Sequence, residues 1–387
     1  MSSAGKTPVM QTLRVSLPPG SPGYPIRIGE GILDAELRAL AEPLARELIV
    51  VVTNDTLERL YPGRLTAALR GLKARVEICV IPDGEHFKTL ETLASIFDRL
   101  MALGANRQTL LIAFGGGVVG DVAGFAAGTF MRGIKMLQVP TTLLAQVDSS
   151  IGGKTAVNHP SGKNAIGVFK QPEGVVIDPG FLRTLPEREL RAGLFELVKH
   201  GIIADKPLFE FLEKNAARLA RPDWARDGGF WEEAIARSVA VKCRVVEADE
   251  LESGLRATLN FGHTVGHLIE TLTHYEHYLH GEAVGVGMLF AGFLSRAWGA
   301  LSAADFTRLR NLLEPLLSPV QLPALDERGF TELMLHDKKS SLRSVRYILL
   351  RGLGEVFIRE KTAPSEVWPV FRQFVREHPA ICRVQAA

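Results

Sequence analysis

The sequence has few cysteines, no long uncharged segment and almost no net charge, and each shortage argues against a class of protein. Its 387 residues include three cysteines, Cys79, Cys243 and Cys382, which lie far apart and form no CxxC pair. An odd and sparse count argues against a disulfide scaffold, and it indicates that any metal ligands are His, Asp or Glu. No run free of Asp, Glu, Lys and Arg exceeds thirteen residues, as in Ala283–Ser295, whereas a membrane helix needs about 18.

The charges are nearly balanced, with 45 Lys and Arg against 43 Asp and Glu and a formal net charge of +2. That balance does not suit a protein that binds nucleic acid through bulk positive charge. No apolar segment of the kind found in secretion signals follows the first ten residues. We therefore expect a cytoplasmic protein that binds neither nucleic acid nor membrane.

Up to about residue 185, short β-rich runs alternate with helical stretches. Continuous apolar strands joined through helices indicate a parallel sheet buried on both faces. The predicted strands are Leu48–Thr53, Arg75–Ile81, Thr109–Phe114, Met136–Val139 and Val175–Ile177, with helices at Asp55–Leu72 and Thr89–Leu103. Leu13–Leu17 and Ile26–Ile28, separated by a turn rich in Pro and Gly, predict an edge hairpin.

After Pro186 the pattern becomes mostly helical. The predicted helices are Glu187–Ile203, Leu208–Leu219, Trp231–Asp249, His263–Thr273 and Glu282–Trp298, and a late hairpin is predicted at Arg346–Leu350 and Glu355–Arg359. We therefore predict an α/β N-terminal domain with a parallel-rich, Rossmann-like sheet over residues 1–185 and a mostly α-helical C-terminal domain over residues 186–387. The cleft between two such domains is a natural place for a ligand.

A glycine-rich turn follows one of the predicted strands. Gly115, Gly117 and Gly120 fit the spacing G-x-G-x-x-G between Thr109–Phe114 and a predicted helix. Glycines let the backbone approach a pyrophosphate, and a helix N-terminus offers N–H groups and a positive dipole end. Because no acidic residue lies about 20 positions further on, we predict a nicotinamide site of a different type, and a plain strand-to-helix turn is the alternative.

The stretch from Arg132 to Lys170 is rich in small and polar residues, and apolar residues are thin between Asp148 and Asn164. Lysines beside glycines, with Asn and Ser nearby, suit a phosphate or a polyhydroxylated anion. We interpret this stretch as a long functional loop, and a merely solvated loop is the alternative.

Five of the ten histidines lie close together in the sequence, at His263, His267, His274, His277 and His280. His263 and His267 are four residues apart on a predicted helix and share a face. Neutral imidazoles with one carboxylate suit zinc. Spacing alone therefore favours His263 and His267 as metal ligands and leaves the third ligand open, with ordinary polar helix residues as the alternative.

Five runs of residues together are far more specific than any single motif. They are Gly115–Phe125, Met131–Gly133, Gln138–Asn164, Leu259–His267 and His280–Val284. These runs closely resemble 3-dehydroquinate synthase, a family of sugar phosphate cyclases, and they follow in the same order. The resemblance extends over roughly residues 26–359.

The resemblance implies an NAD- and metal-dependent enzyme, a carbon–oxygen lyase of the shikimate route to aromatic amino acids. Its substrate would be 3-deoxy-arabino-heptulosonate 7-phosphate, and its products 3-dehydroquinate and phosphate. The reaction would proceed by transient oxidation of the substrate by NAD, β-elimination of phosphate, re-reduction and intramolecular aldol closure. The cofactors would be NAD in the N-terminal domain and one divalent metal, zinc or cobalt, in the C-terminal domain.

Matched position by position, the resemblance implies Glu196, His263 and His280 as metal ligands, and it moves His267 to the substrate. The implied substrate or metal-proximal groups are Asp148, Lys154, Lys163, Asn164, Lys199, Lys242, Arg256, Asn260, His267 and one of Lys338 and Lys339. The implied NAD contacts are Asp83, Glu85, Lys88, Gly116, Gly117, Val118, Asp121, Thr141, Thr142, Lys154, Lys163, Phe181, Thr184, Leu185 and Glu189. Arg132 matches an arginine that reaches the phosphate of the neighbouring subunit, which implies a homodimer.

Three alternatives remain open. Other sugar phosphate cyclases tend to alter the polar substrate residues, whereas Asn260, His267 and the run at 337–339 are retained here. A metal-dependent alcohol dehydrogenase of the glycerol dehydrogenase type has a similar architecture but no use for so many cations directed at phosphate. A non-catalytic protein that senses NAD or metal would not need the retained set of catalytic-type residues.

Overall fold

The computed structural model describes residues 10–18, 23–221, 227–273, 277–336 and 345–384. The chain divides into two compact units, one of Met1–Leu185 with Ala225–Leu251 and one of Pro186–Trp224 with Glu252–Ala387. The first change of unit falls at Leu185. The segment Ala225–Leu251 belongs to the first unit, however, whereas the sequence pattern places it in the helical domain. The pattern identifies the segment as a helix but contains no information on which core that helix packs against.

The strands and helices are numbered in chain order. The strands are β1 (Gln11–Val15), β2 (Tyr24–Ile28), β3 (Leu48–Asn54), β4 (Arg75–Ile81), β5 (Leu110–Gly115), β6 (Lys135–Pro140), β7 (Lys154–His159), β8 (Gly162–Phe169), β9 (Gly174–Ile177), β10 (Val320–Leu322), β11 (Val345–Gly352), β12 (Glu355–Thr362) and β13 (Cys382–Val384). The helices are α1 (Leu33–Ala41), α2 (Asp55–Leu60), α3 (Arg64–Ala68), α4 (Leu90–Ala102), α5 (Gly117–Thr129), α6 (Glu187–Ala204), α7 (Lys206–Lys214), α8 (Ala216–Leu219), α9 (Gly228–Ala248), α10 (His263–Leu272), α11 (His280–Ala297), α12 (Ala303–Leu313), α13 (Glu327–His336) and α14 (Pro364–Glu377).

A seven-stranded sheet lies at the centre of the first unit, in the order β1-β2-β9-β6-β5-β3-β4. Its neighbouring strands pair in parallel, except that β1 pairs with β2 in an antiparallel register with Gln11 opposite Ile28. This arrangement confirms the parallel-rich sheet and the edge hairpin that the sequence predicts.

Alternate residues of the central strands contribute to two separate cores, one on each face of the sheet. In β3, Val50 and Val52 belong to one core, while Ile49 and Val51 belong to the other. Side chains of a strand point alternately to opposite faces. A strand that is apolar at every position therefore requires cover on both faces, and helices α4 and α1 contribute residues to the two cores.

Two expectations for the first unit are wrong. The helix predicted over Asp55–Leu72 is two short helices, because Pro62 and Gly63 interrupt it and Gly63 has a left-handed φ of 63°. The stretch interpreted as a loop contains the antiparallel hairpin of β7 and β8. Buried and solvent-facing residues alternate along β7, and the polar residues of its outer face give the stretch the composition of a loop.

The second unit is built around α11. Every residue from Gly281 to Ser295 is buried, so Ala283–Ser295, one of the longest uncharged runs of the sequence, lies in a core helix. Phe290 and Phe293 of α11 pack edge-on against Phe374 of α14 with ring centroids 5.4 and 5.5 Å apart. The β11–β12 hairpin confirms the late hairpin. Within the described residues, no helix is both long and apolar enough to cross a bilayer.

Candidate active site

The glycine turn lies where the order of the parallel strands reverses. The chain passes from β3 to its neighbour β4, and then returns to the opposite side of β3 to form β5. Open α/β sheets bind ligands at the carboxyl ends of the strands beside such a switch point. Strand β5 ends at Gly115 and helix α5 begins at Gly117, so the turn occupies that position. This topology also explains why the turn follows β5 rather than the first strand of the sheet.

Close packing around this turn favours glycine. A Cβ atom on Gly116 would lie 2.9 Å from Thr142 Cγ2, and one on Gly117 would lie 3.3 Å from Ser149 Oγ. Gly116 is the N-cap of α5 and provides no side-chain hydrogen bond to the first turn. The leading N–H groups of α5 therefore receive no cap from that residue and suit the oxygens of a phosphate.

Lys88 links the turn region to the β7–β8 hairpin. Its Nζ atom lies 2.5 Å from an Asp121 carboxylate oxygen on α5 and donates a hydrogen bond of 2.5 Å to Asn164 Oδ1 on β8. Asn158 on β7 accepts a hydrogen bond from the Asn164 N–H at 2.9 Å through its Oδ1 atom, and its Nδ2 atom donates to Glu85 Oε1 at 2.8 Å. Four residues expected to contact NAD or substrate, Glu85, Lys88, Asp121 and Asn164, thus belong to one polar network of the first unit.

Burial raises the pKa of the Asp121 carboxyl, and the positive charge of Lys88 only partly opposes that shift. A buried carboxylate is stable only with a partner. The ammonium of Lys88, itself buried, supplies that partner.

Two further expected substrate residues meet within the first unit. Lys242 of α9 donates a hydrogen bond to Asp148 Oδ1, and the lysine side chain is buried. Asp148 lies in a single π-helical turn, Ala145–Ser149, a distortion that often occurs at functional sites. Lys242 lies on α9, so this contact joins α9 to the unit that contains the sheet.

Sequence reasoning missed two polar partners of the expected NAD residues. Asn54 Nδ2 at the end of β3 donates to Asp83 Oδ1 at 2.6 Å. The Tyr61 hydroxyl lies 2.6 Å from Thr184 Oγ1, and its ring packs edge-on against Phe181. Asn54 directly follows the predicted strand Leu48–Thr53, which was the available signal. Nothing local in the sequence marks Tyr61.

In the second unit, one carboxylate and two imidazoles converge. Glu196 lies on α6, and His263 and His280 are the first residues of α10 and α11. The Nε2 atoms of His263 and His280 are each 3.9 Å from Glu196 Oε1. One donor atom from each of the three residues can be chosen so that all lie within 4.8 Å of one another.

Close helix packing produces this convergence. A Cβ atom on Gly281 of α11 would lie 2.0 Å from the Ala192 carbonyl oxygen of α6. A Cβ atom on Gly287 would lie 2.0 Å from the carbonyl oxygen of Gly262, the N-cap of α10. Any side chain at either glycine of α11 would therefore push a neighbouring helix away, and the three donors would separate.

Only one of the two carboxylate oxygens of Glu196 has a hydrogen-bond partner. Lys199, one turn further along α6, donates a hydrogen bond to Oε2. The other oxygen, Oε1, is buried and has no hydrogen-bond partner, although it faces both imidazoles. An unsatisfied buried carboxylate oxygen is unfavourable, and a divalent cation among these donors would satisfy it. One carboxylate and two imidazoles form the donor set of many zinc sites that keep an open position.

The pKa values of the two imidazoles are shifted in opposite directions. Burial, followed by the positive charge of Lys199, holds the pKa of His263 well below its ordinary value, so its ring is neutral and has a lone pair. Burial acts in the same direction on His280, but the hydrogen bond and charge of Glu270, with the charge of Glu196, outweigh it and raise the pKa of His280. Protons therefore compete more strongly with a cation at His280 than at His263.

The pair favoured by spacing alone does not form a donor group. His263 and His267 are together in neither of the two groups of donors found in the described residues. His267 instead groups with Glu270 and His280, and its ring centroid is 5.6 Å from that of His263. Helical spacing places two residues on one face, but the third donor, which decides the position of the cation, comes from another helix.

The remaining expected residues lie in several places. Arg256 is fully buried and Asn260 is exposed, and both lie in the 3₁₀ helix Leu255–Asn260. Among the expected residues of the first unit, the exposed ones include Arg132, Lys154 and Lys163, and Glu189 is exposed on α6. Thr141 directly follows β6. Lys338 and Lys339 lie outside the described residues, as does His274.

The parallel sheet with its glycine turn, and the helical unit with its carboxylate–imidazole cluster, fit an enzyme of the sugar phosphate cyclase class. Residues 78–192 match the model of the 3-dehydroquinate synthase N-terminal domain, and residues 193–340 match that of the C-terminal domain. The chain belongs to the 3-dehydroquinate synthase family.

Solved structures of other cyclases are similar over nearly the whole chain. For 2-epi-5-epi-valiolone synthase from Streptomyces hygroscopicus subsp. jinggangensis 5008, with NAD⁺ and Zn²⁺ bound, the TM-score is 0.82 and the identity 29%, over 92% of this chain and 98% of that one. For a 2-deoxy-scyllo-inosose synthase with carbaglucose-6-phosphate, NAD⁺ and Co²⁺, the TM-score is 0.80 and the identity 28%, over 95% of this chain and 100% of that one. Glycerol dehydrogenase from Schizosaccharomyces pombe shares the fold, with a TM-score of 0.62 and 14% identity over 90% of this chain and 89% of that one.

Proposed function

We propose that the chain is a 3-dehydroquinate synthase that converts 3-deoxy-arabino-heptulosonate 7-phosphate to 3-dehydroquinate and phosphate, with NAD and one divalent cation as cofactors. The unsatisfied Oε1 atom of Glu196, facing the imidazoles of His263 and His280, carries the proposal. The similar cyclases bind NAD⁺ with Zn²⁺ or Co²⁺, which supports zinc or cobalt here. The choice of substrate is supported by the matched family and by the retained Asn260 and His267.

Residues of each unit suit one cofactor. Glu196, His263 and His280 would hold the cation, and the leading N–H groups of α5 after Gly116 would bind the pyrophosphate of NAD. When bound, NAD would take a hydride from a substrate hydroxyl carbon and return it later, and the cation would stabilise negative charge on the oxygen. Lys199 would keep Glu196 oriented by binding its other oxygen.

Cationic and amide side chains of the chain would then bind the phosphate that leaves. We assign this role to Lys154, Asn164, Arg256 and one of Lys338 and Lys339. Ammonium and guanidinium groups donate charge-assisted hydrogen bonds to phosphate oxygens, and such bonds strengthen as charge develops on the leaving group. The phosphate dianion would itself accept the proton from the adjacent carbon. The protein would contribute mainly positioning and electrostatic stabilisation.

Arg132 would complete the phosphate site of a second subunit in a homodimer. Met131 and Arg132 both have left-handed φ angles, 50° and 66°, and such strain in successive non-glycine residues is typical of functional segments. If Arg132 acts across the interface, mixing inactive Arg132→Ala and His263→Ala chains restores one complete site in each mixed dimer. Random mixing would then recover about a quarter of wild-type activity, and no recovery would contradict the assignment.

The direct test incubates the purified full chain with the heptulosonate phosphate, NAD and zinc. We expect phosphate and a carbocyclic product in equal amounts, without accumulation of NADH, because the hydride is returned in each cycle. Accumulation of NADH in proportion to product would indicate an alcohol dehydrogenase instead.

A different cyclization is the second candidate, because the two cyclases described above make other products at 28–29% identity. The same assay with a hexose 6-phosphate, the class represented by the carba-analogue in one of those structures, separates the two. Phosphate release from the hexose phosphate and none from the heptulosonate would favour the second candidate.

A further inference from the structure

Glu270 is a buried carboxylate beside the cation cluster that no expected role includes. Its residue is 1% exposed, and its Oε2 atom lies 3.4 Å from Nδ1 of His280, within hydrogen-bonding distance. Acidic side chains are almost never fully buried unless they are paired. The retention of a carboxylate here therefore requires a partner, and His280 is one.

The placement of Glu270 follows from helix periodicity. His263, His267 and Glu270 stand at positions i, i+4 and i+7 of α10 and so lie along one face. That face meets the first residue of α11, His280, through the close packing at Gly287. The helix therefore places a second carboxylate, in addition to that of Glu196, beside His280.

The two ring nitrogens of His280 have different neighbours. Nε2 is 3.9 Å from Glu196 Oε1, while Nδ1 is 3.4 Å from Glu270 Oε2. A neutral imidazole has one N–H donor and one lone pair, and the partner of one nitrogen decides which tautomer is present. A carboxylate at Nδ1 selects the tautomer with the proton on Nδ1 and the lone pair on Nε2.

We propose that Glu270 is a positioning residue: it accepts the Nδ1–H of His280 and thereby directs the Nε2 lone pair at the cation. This inference rests on the proposed cation site of Glu196, His263 and His280. Carboxylates that orient metal-binding histidines in this way strengthen metal binding by about 10–100-fold.

A second cation site is the competing interpretation, because His267, Glu270 and His280 also offer donors within 4.8 Å of one another. Both sites would need His280, however. Once Nε2 binds one cation, Nδ1 of a neutral ring carries the proton and has no lone pair. The geometry therefore favours one cation per chain, with Glu270 outside its coordination sphere.

The test compares Glu270→Gln and Glu270→Leu in the full-length protein. Zinc stoichiometry is measured by elemental analysis, zinc affinity by competition with a chelator, and the His280 tautomer by ¹⁵N NMR. We expect one zinc per wild-type chain, roughly 10-fold weaker binding with Gln, which keeps a neutral acceptor, and roughly 100-fold weaker binding with Leu. In the zinc-free proteins, at a pH where the His280 ring is neutral, we also expect the Nδ1–H tautomer in wild type and Gln and its loss in Leu.

Glu314→Gln provides a matched control. Glu314 also places a carboxylate oxygen near a histidine of the second unit, 3.9 Å from His378 Nε2, but neither residue belongs to a donor group. We expect this variant to bind zinc as wild type does. Thermal unfolding of the zinc-free proteins identifies any Glu270 variant that fails to fold, and Gln, which is nearly isosteric, keeps the test valid in that case.

The outcomes separate the two proposals. A folded wild-type chain that binds no zinc would overturn the proposed cation site itself. One zinc per wild-type chain, with both Glu270 variants binding zinc as tightly as wild type, would overturn only the role of Glu270. Two zinc ions per wild-type chain and one in Glu270→Leu would show that Glu270 is a ligand, which also overturns the inference.

Discussion

The glycine turn of the first unit and the donor cluster of the second unit are built on opposite principles. The turn consists of adjacent residues, Gly115 to Gly117, and offers mainly backbone N–H groups at the start of a helix. The cluster consists of side chains from three helices, and Glu196 and His280 are 84 positions apart in the sequence. A backbone site is therefore a local property of the sequence, whereas a side-chain site is a property of packing.

This difference predicts that different substitutions abolish ligand binding at the two sites. A backbone site tolerates changes in distant residues but not a new Cβ atom within the turn. A side-chain site is lost when one donor is removed, and also when glycines that carry no chemistry, such as Gly281 and Gly287, acquire a side chain. Ligand binding by each unit can be measured separately, so each kind of failure can be assigned to its unit.

The largest effect is expected for His263→Ala. Removing one of three donors should abolish stoichiometric zinc binding and with it the charge stabilisation that the cation provides, about 4 kcal/mol or a thousandfold in turnover. Zinc content by elemental analysis and turnover by phosphate release measure the two losses. NAD affinity, measured by calorimetry, should change by less than about twofold.

His277→Ala is the control, because His277 is an exposed histidine of the same stretch and belongs to no donor group. We expect it to retain zinc and activity. A His263→Ala variant with stoichiometric zinc and full turnover would refute the ligand assignment. Equal losses in both variants would indicate that zinc binding depends on the whole histidine-rich stretch rather than on His263 in particular.

The two regions also differ in how far the sequence predicts them. The strands β3 and β5 are predicted almost to the residue, because buried parallel strands are continuous apolar runs that end in glycine or polar residues. The β7–β8 hairpin is missed, since its outward-facing polar residues hide the alternation. The assignment of α9 to the first unit is also missed, because helical periodicity does not identify the core that the buried face contacts.

Among the proposed site residues, spacing alone identifies the glycine turn but not the three proposed metal ligands. Spacing favours His263 with His267, and only resemblance to a family implies Glu196 and His280. The physical reason is that Glu196 and His280 reach the cluster through the close contacts of α11 with α6 and α10. The role inferred for Glu270 has a visible signal, its i+7 relation to His263, but that signal becomes meaningful only when His280 is in place.

The next largest effect is expected for Gly287→Ala. Its new Cβ atom would lie 2.0 Å from the Gly262 carbonyl oxygen and 2.9 Å from the Gly266 backbone nitrogen. Both atoms are backbone, so the helices must separate. We expect a loss of about 1–3 kcal/mol in the free energy of unfolding, measured with denaturant, and zinc binding weakened at least tenfold.

Gly352→Ala is the matched control, because no atom lies within 4 Å of a Cβ atom at that position and its φ is not left-handed. This variant should bind zinc like wild type. If Gly287→Ala kept wild-type zinc affinity while losing stability, the convergence of the donors would not depend on the close contact of α10 and α11.

A smaller effect, confined to the first unit, is expected for Gly116→Ala. The added Cβ atom would contact the Thr142 methyl carbon at 2.9 Å, so the turn must shift. We expect about tenfold weaker NAD binding, or 1.4 kcal/mol, with zinc affinity unchanged. Thr142→Ser removes that methyl and keeps the hydroxyl, so the double variant should recover most of the loss. Failure of this rescue would show that the loss does not arise from the contact with Thr142.

The smallest effect concerns the three buried thiols, which report on each unit separately. Burial raises the pKa of Cys243 and of Cys382 to about 12 and also raises the pKa of Cys79. At pH 8 the thiolate fraction of the first two is therefore about 10⁻⁴, and it increases tenfold for each pH unit towards 12. Alkylation of the folded chain should accordingly be slow and become faster as the pH rises.

In mild denaturant, alkylation then requires opening of the unit that contains the thiol. Cys79 and Cys243 belong to the first unit and Cys382 to the second. NAD at ten times its Kd should therefore slow alkylation of Cys79 and Cys243 by about tenfold, and zinc at the same excess should slow that of Cys382. Mass spectrometry of the alkylated peptides measures the three rates. Equal protection of all three thiols by either ligand would show that the units open together, because ligand binding to one would then stabilise both.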